Sequence, residues 1–83
     1  MRRARNTMTR RVEEDVVILD ITSGRYFALD GAGALIWDCL ERDMTRAELV
    51  GAVVAAFDVD REQAASDIDE LIAELADRGL VER

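Results

Sequence analysis

Up to Leu29 the apolar residues come in short runs. After Leu29 they recur every three or four positions. Met8 to Val12 forms a short segment that predicts a strand. Val16-Val17-Ile18-Leu19-Asp20-Ile21 is a clearer strand, bounded by Glu13-Glu14-Asp15 before it and Thr22-Ser23-Gly24 after it. Arg25-Tyr26-Phe27-Ala28-Leu29 has the same character, and Ser23-Gly24 supplies the turn that folds it back on its predecessor as a hairpin. Alternation sets Phe27 and Leu29 on one face and Tyr26 and Ala28 on the other.

Three helices are predicted beyond this hairpin. Asp30 stands where an N-cap belongs, and Ala34, Leu35, Trp37, Cys39 and Leu40 continue as a helix to about Arg42. Thr45-Arg46-Ala47-Glu48 has the capping-box form, with Leu49, Val50, Val53, Val54 and Phe57 as its apolar stripe. Asp60 with Gln63 opens the third helix, whose stripe is Ala64, Ile68, Leu71, Ile72 and Leu75, and Gly79 ends it. The fold class expected is therefore α+β: a winged helix-turn-helix with a three-stranded antiparallel sheet followed by three helices.

Composition narrows the chemistry. At 83 residues the chain holds one core, with residues 1–7 as a flexible arginine-rich arm and 8–83 as the folded domain. One cysteine, Cys39, and no histidine exclude an internal disulfide and argue against a zinc site, so no metal or other cofactor is expected. Every basic residue is arginine, so the usual general bases near neutral pH are missing and no catalytic residue is assigned. No apolar run approaches the ~18 residues of a membrane span, and the chain is expected to be cytoplasmic. Residues 1–11 carry five arginines and no acid, whereas the rest sets six arginines against 18 acids. Such a body repels phosphate backbones and favours cationic partners, so neither nucleic acid nor membrane is an expected partner.

Two features suggest a binding role. Asp67, Glu70, Glu74 and Asp77 form an acidic ridge along the third helix, which could steer a basic partner or could simply face solvent. A sheet this small must also leave a strand edge open, and Arg25 to Leu29 could accept a foreign strand, although the residues alone do not say which edge is covered. Trp37 reads as a core anchor and Cys39 as a small buried residue. Gly31 and Gly33 lack the third glycine and the βαβ setting of a nucleotide loop.

The run Asp20-Ile21-Thr22-Ser23-Gly24-Arg25-Tyr26-Phe27-Ala28-Leu29-Asp30, then Gly33-Ala34-Leu35-Ile36-Trp37, resembles the PqqD-like family. Thr45 to Leu49 resembles that family's Thr-x-x-Glu-Leu, and Gly79-Leu80-Val81 its ending, so the resemblance covers about residues 10 to 82. Members of the family are recognition elements for ribosomally made, modified peptides. The resemblance implies that a precursor's leader segment adds antiparallel to the third strand, with its apolar side chains in a groove against the third helix. The site it implies is Arg25, Tyr26, Phe27, Ala28 and Leu29 with Asp67, Ile68, Glu70, Leu71, Glu74 and Leu75. Whether Tyr26 or Phe27 meets the peptide is left open. The chain is most similar to the discrete leader-binding proteins of lasso peptide biosynthesis, which implies a separate leader peptidase and a macrocyclase as partners. The pyrroloquinoline quinone type is the near alternative, but its second strand usually carries Pro-Glu and this chain has no proline. A winged-helix DNA-binding regulator and a dimerisation scaffold using Ile72 and Ala76 are the remote ones.

Overall fold

The computed structural model describes residues 1–83 as β1 (Arg2–Arg3), β2 (Thr7–Val12), β3 (Asp15–Asp20), β4 (Arg25–Leu29), α1 (Gly31–Cys39), α2 (Arg46–Ala56), α3 (Arg61–Asp77) and β5 (Val81–Glu82). Strands β2, β3 and β4 form an antiparallel sheet in that order, so the expected three-stranded sheet followed by three helices is present. The first hairpin closes through Glu13-Glu14, with Glu13 in the left-handed region at φ 61°. The second turns through Ile21 to Gly24, and Gly24 takes φ 74° there, a conformation open to glycine without strain.

One face of the sheet carries Val16 and Ile18, both fully buried, against Trp37, Leu40, Leu49, Ile68 and Leu80 in a single core of 16 residues. The Trp37 indole donates to Thr9 Oγ1 at 2.9 Å, which satisfies its N–H inside the core. Cys39 is half-buried against the same core.

Helix ends follow their local chemistry with two differences. Thr45 and Glu48 form the complete capping box, and Asp60 accepts from the Gln63 amide at 2.7 Å. The C-terminus of α3 is a Schellman turn: Leu80 N–H reaches Leu75 O at 2.9 Å and Gly79 N–H reaches Ala76 O at 3.0 Å. Asp30, however, caps α1 with its position only. Its side chain makes no cap hydrogen bond, and its carbonyl takes the Ala34 N–H at 3.2 Å. Helix α1 also stops at Cys39 rather than near Arg42: beyond it the bonds tighten to three-residue turns, from Glu41 N–H to Asp38 O at 3.2 Å and from Arg42 N–H to Cys39 O at 3.5 Å, and an outside group meets its last carbonyls. Arg3 donates from Nε and Nη2 to Trp37 O at 3.0 and 2.8 Å, and its backbone N–H bonds Leu40 O at 3.0 Å.

That contact changes the reading of residues 1–7. The arginine-rich start, expected as an arm, lies against the body in the structure, where β1 pairs antiparallel with β5. The Met1 amine donates to Asp43 Oδ1 and Met44 O, both at 2.8 Å, and Arg3 stacks 4.9 Å over the Trp37 ring. These residues lack apolar periodicity, which is why sequence reasoning left them out. Their attachment is by backbone pairing and arginine donors, which periodicity does not register.

Candidate functional site

The open edge of the sheet can be identified residue by residue. Val12 and Asp15 flank a two-residue turn and therefore form a hydrogen-bonded pair. Backbone groups alternate along a strand, so Asp15, Val17 and Leu19 turn theirs toward β2. The Ile21 N–H agrees, bonding Asn6 O at 2.9 Å. Val16, Ile18 and Asp20 then face β4, and their partners Leu29, Phe27 and Arg25 are bonded inward. Tyr26 and Ala28 are left with N–H and C=O directed away from the sheet, on a strand with no neighbour on that side.

Side chains follow the same parity. Phe27 and Leu29 are half-buried and pack on the core, whereas Tyr26 is 69% exposed on the outer face. Between β4 and α3 runs a groove of about 280 Å³, with Tyr26 through Leu29 on one side and Leu71, Glu74, Leu75 and Arg78 on the other. The spacing of the helical wall, four, three and four residues from Asp67 through Leu71 and Glu74 to Arg78, keeps these positions on one stripe. At the strand's end Gly33 brings α1 close: a Cβ there would lie 3.6 Å from Leu29 and 3.8 Å from Leu71.

The structure brings together seven of the expected residues in the groove: Tyr26, Phe27, Ala28, Leu29, Leu71, Glu74 and Leu75. Arg25 lies just past its end, in an adjoining polar cavity of about 300 Å³ shared with Asp20, Ser23, Phe27, Asp77 and Arg78. Asp67 and Glu70 are exposed on the turn of α3 that precedes the groove, and Asp67 accepts from Gln63 Nε2 at 2.9 Å. Ile68 differs from expectation. It is 1% exposed, part of the core, and borders a separate cavity of about 330 Å³ on the other flank of α3 with Ile72 and Ala73. The reason is angular: Ile68 lies with Ala64 and Ile72 on the stripe of α3 that turns into the core, beside the stripe of Leu71, Glu74 and Arg78 that faces the groove.

Arg78 is the groove residue that sequence reasoning missed. Its guanidinium stands 4.9 Å over the Phe27 ring and donates to Glu74 at 3.3 Å. The available signal was its spacing of four from Glu74 on the predicted helix.

The hairpin that presents β4 is tied by one buried carboxylate. Asp20, 8% exposed, accepts from Asn6 Nδ2 at 2.9 Å, Thr22 N at 3.0 Å and Ser23 Oγ at 2.9 Å. The Ser23 hydroxyl, then the Thr22 and Ser23 amides and the Asn6 side chain, hold its carboxyl below the usual aspartate range despite burial. Ser23 Oγ also takes the Arg25 N–H at 3.2 Å, so the knot extends into the first residue of β4.

An open strand edge beside an apolar groove is a place where a peptide can add. The family model for coenzyme PQQ synthesis protein D (PqqD) matches residues 15–81. The chain belongs to the PqqD family. Two solved structures share its fold over nearly its whole length. One is TbiB1 in complex with the TbiA(β) leader peptide, at 32% identity and TM-score 0.92, covering 99% of this chain and 95% of that one. The other is a lasso peptide synthetase B1 complexed with the leader peptide, at 26% identity and TM-score 0.86, covering 99% and 96%. No curated protein matches the sequence significantly. The chain's likeness to these two leader-bound B1 proteins thus accompanies a fold whose open edge and groove lie side by side. No helix is long and apolar enough to cross a membrane.

Proposed function

We propose that this protein captures the leader segment of a ribosomally made precursor peptide, of the lasso class, and carries out no bond chemistry itself. The observation that carries the reading is the open edge of β4 beside the groove: Tyr26 and Ala28 offer backbone donors and acceptors where Phe27, Leu29, Leu71 and Leu75 offer apolar contact. Backbone pairing sets the register of the added strand, and the groove accepts its alternate apolar side chains. Asp67, Glu70 and Glu74 attract a basic leader. Both similar structures contain B1 proteins with their leader peptides, which supports the same ligand class here.

Delivery to a separate leader peptidase, and from there to a macrocyclase, completes the proposal. Tethering raises the substrate's effective concentration at such an enzyme without new chemistry. An enzyme contact has a suitable surface. Met8, Val12 and Tyr26, three of the five exposed large apolar residues, occupy the sheet face opposite the core. A DNA-binding role finds no support, since α2 and α3 present far more acid than base.

The decisive experiment is fluorescence polarisation with the labelled leader segment of a lasso precursor peptide. Saturable binding that disappears in Leu71→Asp is expected; wild-type affinity in that variant would remove the groove from the mechanism.

A further inference from the structure

The groove does not have the same charge at its two ends. On the Leu29 side stand Asp30, the next residue, whose side chain makes no cap bond, and Asp67 and Glu70 on the turn of α3 before the groove, while Arg11, two strands away in the row of Leu29, is paired with Asp38. Near Arg25 the groove opens into the polar cavity, where Arg25 and Arg78 face each other across the strand–helix gap with Asp20 and Asp77. The buried carboxylate of Asp20 is held by the neutral donors of Asn6, Thr22 and Ser23 and keeps its charge, so two arginines stand against two acids at this end, and Asp77 is the exposed one of the two. The Arg25 guanidinium makes no ion pair, and Arg78 uses one N–H on Glu74 while resting on Phe27. A guanidinium has five donors in a planar fork, so both arginines keep donors available for a carboxylate.

We propose that this end of the groove is a subsite for an acidic side chain of the bound peptide, held between Arg25 and Arg78, and that the resulting charge gradient fixes the direction in which the strand adds. The inference rests on the peptide-capture reading. A strand antiparallel to β4 has its N-terminal part beside Leu29 and its C-terminal part beside Arg25. Side chains facing the groove are every second residue, opposite Leu29, Phe27 and Arg25 in turn. The peptide therefore carries apolar residues at the first two of these positions and Asp or Glu at the third, two residues beyond the apolar anchor at Phe27. A strand added in the opposite direction would bring the same carboxylate to Asp30, Asp67 and Glu70, and like charges there reject it.

A phage-displayed library of random 16-residue segments, selected on the immobilised full chain, reads this pattern directly. The wild type is expected to enrich alternate apolar residues followed, two positions on, by Asp or Glu. In the Arg25→Gln, Arg78→Gln double variant the acid preference should fall to background while apolar alternation persists. Arg78→Glu should shift that position toward Lys or Arg. With a synthetic selected peptide, changing its acid to the amide should weaken wild-type binding about fivefold, the upper range for an exposed ion pair, and binding to the double variant less than twofold. Apolar alternation without an acid, or an acid preference that survives in the double variant, overturns the subsite and leaves peptide capture standing. Failure to enrich any alternating apolar strand removes peptide capture itself.

Discussion

Replacing Ala28 with proline separates the fold of this domain from its proposed ligand. The Ala28 N–H points away from the sheet, and the strand is at the edge, the one sheet setting where proline is tolerated. The preceding residue, Phe27, is already extended, as proline requires of its neighbour. The fold should therefore persist. A strand adding to β4 fares differently. It loses one hydrogen bond, about 0.5–1.5 kcal/mol, and its own carbonyl is left unpaired in the interface at about 1–3 kcal/mol more. The sum, about 1.5–4.5 kcal/mol, corresponds to a loss of roughly tenfold to two-thousandfold in affinity, measurable by fluorescence polarisation of a labelled leader peptide. Phe27→Pro is the control, because its N–H bonds β3 and its loss should unfold the hairpin, visible by circular dichroism. Wild-type affinity in Ala28→Pro would refute strand addition at β4. A folded Phe27→Pro beside an unfolded Ala28→Pro would reverse the assignment of which backbone groups face outward.

Four further outcomes follow from the same geometry. Leu71→Asp should remove apolar contact and place a carboxylate under the peptide, costing about 3 kcal/mol of binding or more, while the half-buried position in α3 lets the free protein stay folded by circular dichroism. Gly33→Ala should raise thermal stability by about 0.5–1 kcal/mol, since the new Cβ meets Leu29 and Leu71 at ordinary contact distances of 3.6 and 3.8 Å; a lower melting temperature would contradict this. Glu13→Gly should stabilise the first hairpin by up to about 1 kcal/mol in denaturant titration, because the left-handed backbone at φ 61° is costly for glutamate and free for glycine. The Asp20 carboxyl is held below its ordinary 3.8, so the stability it lends is complete above that pH and is lost as pH falls through the lower folded value. Asp43, Glu48 and Asp69 are shifted the same way, so Asp20→Asn should flatten the acid limb of a stability–pH curve in part; an unchanged acid limb would deny Asp20 a role in it.

The elements legible in the sequence are those whose causes are local. The Thr45–Glu48 capping box, the Asp60 cap, the Gly79 stop and the two strands either side of Ser23-Gly24 each act over a few residues, and each appears in the structure within a residue of its expected place. Leu71, Leu75 and the strand from Tyr26 to Leu29 were legible as a candidate site only jointly with the family resemblance, since period and composition name apolar faces without naming their neighbours. What only the tertiary structure decided concerns distant pairings. It set β3 on one side of β4 and left the other side open, which made Tyr26 and Ala28 the outward residues. It set the rotation of α3 against the core, which buried Ile68 and turned Leu71 toward the groove. It placed Arg78 on Phe27 and drew the arginines of the first residues onto β5 and the end of α1. Caps and stripes are set by torsions and spacing within one segment, so a sequence contains them. Strand order, the reach of a strand across a helix and the seat of an arginine depend on where two remote segments meet, and that is decided by packing the whole core at once.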